Sequence, residues 1–175
     1  MTVELICVGT ELLLGNIVNT NAAWLAEQCA ALGLSCYYQT VVGDNAGRLA
    51  GILETGLERS DILILSGGLG PTQDDLTKET AARVCGKQLV EDARSLSRIE
   101  SYFQERGLKM TDNNRKQALV PEGAIVVDND NGTAPGIILE KDGKRIVLLP
   151  GPPNELIPMF EKSIAPYLLS LDPDG

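Results

Sequence analysis

The stretch DILILSGGLGPTQDDLT, residues 61–77, joins an unbroken apolar run to a glycine-rich turn and a pair of aspartates. The run Ile62 to Leu65 shows no polar alternation, which is typical of a parallel strand covered on both faces. Beyond the turn, a helical pattern extends from about Asp74 to Val84, and Gly86 ends it. A buried strand that leads into a helix predicts a parallel α/β sheet.

Strands and helices alternate along most of the chain. Apolar periodicity predicts strands over 3–8, 34–42, 61–66, 124–127, 136–139 and 145–149, and helices over 19–32, 74–84 and 92–106. A further helix follows Asp44, which can cap it, and the helix at 92–106 is expected to form an insertion or a side layer. The pair Asp142-Gly143 predicts a hairpin turn and therefore an antiparallel edge. A last helix from Pro152-Pro153 is expected to kink or break at Pro158 and Pro166.

The composition limits the classes of partner. The chain has 175 residues, a formal net charge of -9 and a pI near 4.5, which argues against nucleic-acid binding because that requires a basic surface. No apolar run approaches the length of a membrane span, so we expect no membrane association. The four cysteines are widely scattered and are expected to be buried thiols of a cytoplasmic protein. A small anionic ligand remains compatible with this charge when peptide N–H groups or a metal ion bind it.

Histidine is absent from the chain, which restricts the possible chemistry. Mechanisms that pair serine or cysteine with histidine are excluded, and acid–base work is left to carboxylates, lysine or metal-bound water. The remaining side-chain ligands are oxygen-rich and suit a hard divalent cation, which we expect to be magnesium, manganese or cobalt.

The glycine-rich turn is the first candidate site, because ligands of open α/β sheets bind at the carboxyl ends of the strands. Glycines allow close approach of an oxyanion to the backbone, and a following helix presents free N–H groups. The candidate ligand contacts here are Gly67, Gly68, Leu69, Gly70, Pro71, Thr72 and Thr77. Asp74 and Asp75 would repel a bare phosphate, which indicates a bridging cation. The alternative is a plain turn in which Thr72 or Asp74 caps the helix.

Three more polar segments are expected to contribute to the same ligand site. The loop after the first strand offers Thr10, Glu11, Gly15, Asn16, Asn19 and Asn21. The other two offer Asn131, Gly132, Thr133, Ala134, Pro135 and Gly136, and Pro150, Gly151, Pro152, Pro153 and Glu155. Lys116 is a candidate phosphate partner. Each has a structural alternative. In the first loop Asn19 or Thr20 could simply cap a helix, segment 131–136 could be a simple turn, segment 150–155 could be the end of a strand, and Lys116 could be a solvated lysine.

Six motifs in order, GTELLLG, NTNAAWLA, GGLGPTQDDLT, KQA, NGTAPG and LPGPPNEL, resemble the amino-terminal domain of the CinA family, also called competence/damage-inducible proteins. That domain is similar to the molybdopterin-binding fold of the MogA, MoaB and gephyrin G-domain proteins. The resemblance implies a three-layer α/β/α sandwich with a mostly parallel sheet and an antiparallel edge. It also implies one domain over residues 1–170 with a tail at 171–175, and we expect the carboxyl-terminal deamidase domain of many CinA proteins to be absent.

The resemblance further implies a nucleotide-like or pterin-like phosphate ligand and metal-dependent ADP-ribose pyrophosphatase activity. Two aspartates important in the molybdopterin relatives match Asp75 and Asp44, which with Asp74 are the candidate catalytic residues. Asp74, Asp75 and Glu11 are the candidate metal ligands. Asp74 replaces an often basic residue of the molybdopterin enzymes.

Two other functions remain open: molybdopterin binding with adenylyl transfer, and a nucleotide- or pterin-binding regulatory module without turnover. The relatives imply a homo-oligomer, either a dimer or a trimer.

Overall fold

The computed structural model describes residues 1–15 and 19–171. Its strands are β1 (Thr2–Val8), β2 (Ser35–Val42), β3 (Ile62–Ser66), β4 (Leu89–Glu91), β5 (Leu119–Pro121), β6 (Ile125–Val127), β7 (Gly136–Lys141) and β8 (Lys144–Leu149). Its helices are α1 (Thr10–Leu13), α2 (Thr20–Ala31), α3 (Ala46–Arg59), α4 (Thr77–Val84), α5 (Ala93–Glu105), α6 (Asp112–Lys116), α7 (Pro153–Met159) and α8 (Ala165–Leu171). A π-helical turn, Phe160–Ile164, joins α7 to α8.

Six strands form one sheet in the order β2-β1-β3-β8-β7-β6. The first four run parallel, whereas β7 is antiparallel to both of its neighbours. The β7–β8 connection has φ values of 51° at Asp142 and 79° at Gly143, which a tight hairpin turn requires. The predicted mostly parallel sheet with an antiparallel edge is confirmed.

Side chains of the central strands alternate between two hydrophobic cores. Leu5 and Ile64 face a core that α2, α7, the π-helical turn and α8 complete. Ile6 and Leu65 face the opposite core, to which α3, α4 and β5 contribute. Because helices cover the sheet on both faces, the α/β/α sandwich is confirmed, and burial of both faces explains the uninterrupted apolar run of β3.

A small second sheet, in which β4 and β5 pair antiparallel, lies beside α5 and α6. Asp92 caps α5, since its carboxylate accepts a hydrogen bond from the Ser95 N–H at 2.9 Å. The predicted side layer therefore exists. Its two three-residue strands were not predicted, because each is too short to show a periodic pattern.

Two predicted helix starts are wrong. The cap of α3 is Asn45 and not Asp44, because the Asn45 side chain accepts from the Arg48 N–H at 2.9 Å. Helix α4 begins at Thr77 rather than near Asp74, and no side chain caps it. Neither Thr72 nor Asp74 is therefore a helix cap.

The carboxyl-terminal helices do not break at Pro158 or Pro166. The chain remains helical, and the disturbance takes the form of the π-helical turn, where the Ala165 N–H donates to the Phe160 carbonyl. Over residues 1–15 and 19–171, no helix has the length and apolar character needed to cross a membrane.

The direction of the strands collects five loops at one edge of the sheet. Strands β1, β2, β3 and β8 all end there, at Val8, Val42, Ser66 and Leu149. Because β7 runs the other way, its first residue lies at the same edge, and Ile137 pairs with Leu148. The loop between β6 and β7 therefore joins the loops that follow the parallel strands.

Candidate functional site

A cleft of about 560 Å³ opens at this edge of the sheet. Its lining includes predicted residues from all four segments: Glu11, Asn21, Asp44, residues 67–71, Asp75, Thr133, Ala134, residues 150–153 and Glu155. Val8, Gly9, Leu12, Ser66 and Gln117 also line it and were not among the predicted residues. The topology thus brings together residues as far apart in sequence as Glu11 and Glu155.

The glycine turn forms the floor of the cleft and needs glycine at both of its first positions. Gly67 and Gly68 have φ values of 94° and 72°. A Cβ on Gly67 would overlap the Val8 carbonyl, and one on Gly68 would overlap the Thr77 hydroxyl. That hydroxyl donates to the Gly67 carbonyl at 2.9 Å, so Thr77 supports the turn from behind rather than lining the cleft.

Beyond the turn, Asp75 is fixed by Thr72. Its Oδ2 accepts from the Thr72 N–H at 2.9 Å and from the Thr72 hydroxyl at 2.6 Å. A Cβ on Gly70 would lie only 2.7 Å from the same oxygen, so glycine is needed there for the carboxylate to pack against the turn. Asp75 lines the cleft, whereas Asp74 is exposed and does not.

On the neighbouring loops, Asp44 is held by Thr10. Asp44 Oδ2 accepts from the Thr10 N–H at 3.4 Å and from its hydroxyl at 3.2 Å, while the Asp44 N–H donates to Thr10 Oγ1 at 3.1 Å. Because Asn45 is the helix cap, capping no longer accounts for Asp44. Glu11 lies beside them, and its carboxylate folds over Gly9, where a Cβ would overlap it.

Across the cleft, Glu155 is positioned by a buried amide that was not predicted. Asn129 Nδ2 donates to Glu155 Oε1 and to the Ala134 carbonyl, both at 2.8 Å, and its Oδ1 accepts from the Asn131 N–H. Gly132 packs so closely that a Cβ would overlap the Glu155 carboxylate. Within the NGTAPG segment, Thr133 and Ala134 line the cleft directly, and Gly132 leaves room for the Glu155 carboxylate that Asn129 positions.

Gln117, and not the predicted Lys116, contributes to the lining of the cleft. Gln117 is buried, and its Nε2 donates to the Leu69 carbonyl at 3.3 Å. Lys116 is exposed, and its carbonyl accepts from the buried Lys78 ammonium at 2.9 Å. Burial lowers the pKa of Lys78. The KQA motif was the available signal, and its middle residue is the one that reaches the cleft.

Comparison with known proteins now fixes the family. A family model described as "Probable molybdopterin binding domain" matches residues 4–170. The crystal structure of the CinA protein from Thermoplasma acidophilum, whose function is given as unknown, has a TM-score of 0.87 at 33% identity. The alignment covers 95% of this chain and 97% of that one. The chain belongs to the CinA family.

Other relatives of this CinA-family domain agree. The CinA-like protein of Dictyoglomus thermophilum is 55% identical over 170 residues, which cover 97% of this chain and 41% of that relative. The chain thus spans less than half the length of that protein. The molybdopterin biosynthesis enzyme MoaB of Thermus thermophilus has a TM-score of 0.64 at 19% identity, with 97% of this chain and 94% of that one covered, and shows the shared fold.

The electrostatics of the CinA-family cleft are one-sided. Glu11, Asp44, Asp75 and Glu155 contribute four carboxylates to the lining, and within the described residues no lysine or arginine accompanies them. An anionic phosphate entering alone would be repelled by these charges. Peptide N–H groups partly compensate, because those of Gly68, Leu69 and Gly70 donate to no backbone carbonyl in the described ranges.

The side-chain atoms that line the cleft determine which kind of metal ion could bind there. Every side-chain ligand in the cleft is an oxygen, as hard divalent cations prefer. Where the structure describes the chain, no three acidic, cysteine or histidine side chains cluster closely enough to hold a metal by themselves. Magnesium commonly binds through one or two carboxylates together with phosphate oxygens and water. The residues therefore fit a cation shared with a phosphate ligand, not a closed metal cage.

The remaining predicted residues lie around the cleft. Thr10, Thr72 and Thr77 support it through the hydrogen bonds described above, and Asn19 caps α2 by accepting from the Ala22 N–H. Asn131 Nδ2 donates to the Asn154 carbonyl at 2.9 Å. Gly132 and Pro135 line a small neighbouring cavity, Gly136 is buried at the start of β7, and Gly15 is exposed. Asn16 lies outside the described residues.

Proposed function

We propose that this domain binds a phosphate-bearing nucleotide or pterin ligand in the cleft and hydrolyses the pyrophosphate bond of ADP-ribose or a related nucleotide. The observation that carries the proposal is that free peptide N–H groups of the glycine turn and several carboxylates line the same cleft. The N–H groups suit phosphate oxygens, and the carboxylates suit a cation that neutralises them.

In the proposed hydrolysis of ADP-ribose, water attacks one phosphorus of the pyrophosphate and the bridging P–O bond breaks. AMP and ribose 5-phosphate leave, and the proton that the water loses passes to solvent. The N–H groups of Gly68, Leu69 and Gly70 donate to the phosphate oxygens on which charge develops. Asp75 and Asp44 would hold a divalent cation, which supplies charge neutralisation and a more acidic water when bound. Thr72 and Thr10 keep the two carboxylates oriented through the hydrogen bonds they donate.

Two neighbouring aspartates give the test a matched control. Asp75→Asn and Asp74→Asn remove the same charge one position apart, but only Asp75 lines the cleft. We expect Asp75→Asn to lower turnover of ADP-ribose by about 10- to 100-fold, the range typical when a group that orients the ligands of a metal is lost. Asp74→Asn should retain turnover. The asparagine oxygen can still accept from Thr72, so both variants should unfold at nearly the wild-type temperature.

The assay measures AMP release from ADP-ribose with magnesium, manganese or cobalt, beside calorimetric binding. Undiminished turnover by Asp75→Asn, or equal losses in both variants, would contradict the assigned site. Binding without any product would identify a non-catalytic module. In a parallel assay with ATP and molybdopterin, transfer of AMP to molybdopterin with release of pyrophosphate would identify the adenylyl-transfer alternative instead.

A further inference from the structure

The amide of Gln117 holds a buried acceptor without a partner at the wall of the cleft. The residue is 4% exposed, and its Nε2 donates to the Leu69 carbonyl at 3.3 Å. Its Oε1 is buried and accepts no hydrogen bond from any residue that the structure describes. Buried polar atoms are rarely left unpaired, and one that lies beside a ligand cleft is a candidate contact for the ligand.

The orientation of this amide follows from its neighbour. The oxygen and nitrogen of a glutamine side chain are assigned from hydrogen bonds, and a carbonyl oxygen can only accept. The Leu69 carbonyl therefore requires the NH₂ group to face it. Oε1 must then face away from Leu69, so the free group is an acceptor and not a donor.

The surrounding structure holds Gln117 in place. Its N–H donates to the Asn114 carbonyl at 3.1 Å as α6 ends, and Lys78 donates to the carbonyl of the preceding residue at 2.9 Å. Lys78 lies at the second position of α4, directly after the residue that supports the glycine turn. The acceptor is thus tied to the same helix as the proposed phosphate cradle.

We propose that Gln117 Oε1 accepts a hydrogen bond from an exocyclic amino group on the heteroaromatic ring of the ligand. The inference rests on the proposed function in that a base-bearing or pterin-bearing ligand occupies the cleft. Leu69 and Ala134 are buried in one hydrophobic cluster and also line the cleft, so they offer an apolar wall for such a ring. Gln117 would select rings that carry a donor over rings that lack one.

The test compares ligands that differ in one amino group. AMP is paired with purine riboside 5′-monophosphate, which lacks the 6-amino group, and pterin is paired with its 2-deamino analogue. We expect the wild-type domain to bind the amino form of one pair roughly tenfold more tightly in calorimetry. The pair that shows the preference identifies a nucleotide or a pterin as the ring source. Equal affinities within both pairs would overturn the inference.

Variants then assign the preference to Gln117. Gln117→Leu and Gln117→Met both remove the acceptor oxygen and should each bring the two affinities of the preferred pair to within twofold. Gln104→Leu, on the exposed surface of α5, is the matched control and should behave as wild type. A preference that survives in Gln117→Leu would also overturn the inference. AMP contains no pyrophosphate, so these outcomes are independent of whether the domain hydrolyses ADP-ribose.

Discussion

The glycine turn allows a sharp test of how the cleft is built, through Gly68→Ala. An alanine Cβ at this position would overlap the Thr77 hydroxyl and approach Val8 Cγ1 to 3.4 Å. Thr77 is 1% exposed, so its side chain has little room to move. Displacing it breaks the hydrogen bond to the Gly67 carbonyl, one of two bonds that join the turn to the start of α4; the other runs from the Thr77 N–H to the Gly68 carbonyl at 3.2 Å.

The magnitude has two parts. A left-handed φ of 72° costs alanine about 1 kcal/mol more than glycine. Loss of the Thr77 hydrogen bond, with the hydroxyl left buried, adds about 1–2 kcal/mol. We therefore expect the free energy of unfolding to fall by about 2–3 kcal/mol, equivalent to about 4–12 °C in Tm for a chain of this length.

Gly86→Ala is the matched control, because Gly86 has a φ of 66° and a Cβ there would meet no atom within 4 Å. It should cost only about 1 kcal/mol in urea unfolding. The double variant Gly68→Ala/Thr77→Ala should be more stable than the sum of its single effects implies, because the hydroxyl that is overlapped is gone. Equal losses from Gly68→Ala and Gly86→Ala, with additive effects in the double variant, would refute the reasoning.

Three further predictions follow from the same contacts. Asn45→Ala should lower the free energy of unfolding by about 1 kcal/mol in urea titration, whereas Asp44→Ala should cost less but weaken ligand binding, because Asn45 alone caps α3. Asn129→Ala should leave the fold intact and weaken calorimetric ligand binding by roughly tenfold, since Glu155 loses its donor. Asp128→Asn should lower Tm at pH 7 and approach wild type only as the pH falls below the ordinary aspartate pKa: the Arg94 hydrogen bond holds the pKa of this carboxyl below its ordinary value, so its stabilisation is lost as the carboxyl protonates.

The sequence predicts most of the main sheet because its strands carry unambiguous signals. The apolar run of β3 and the Asp142-Gly143 turn both have a single physical interpretation, and both are confirmed. The first residue of a helix is harder to predict from the sequence. Asp44 and Asn45 are adjacent and both can cap a helix, so only the path of the chain leaving β2 decides between them. Helix α4 begins later than predicted because the Asp75 carboxylate accepts a hydrogen bond from the Thr72 N–H. This bond stabilises a turn where the pattern predicted the first helical residues.

The site was predictable as far as its loops are concerned, because strand ends converge at one edge of a parallel sheet. Its polar contacts were not. Gln117 donates to Leu69, 48 positions away, and Asn129 contacts Glu155, 26 positions away. No local spacing encodes such pairs. The turn also determines that Asp75 and not Asp74 lines the cleft. The sequence pattern does not distinguish two adjacent aspartates, because only the backbone conformation decides which side chain points into the cleft.

The reversal of β7 gives the cleft two walls of unequal stiffness. One wall follows parallel strands buried in the centre of the sheet, while the other is the β6–β7 loop beside a three-residue edge strand. Besides the hydrogen bonds of Asn129 and Asn131, that loop is held by half-exposed ion pairs to Asp128 and Asp130, which stabilise weakly. Local opening should therefore begin at the edge wall, where amide hydrogens exchange sooner than in β1 or β3. Ligands of different width would then be accommodated by movement of the β6–β7 loop, while the glycine turn keeps its position.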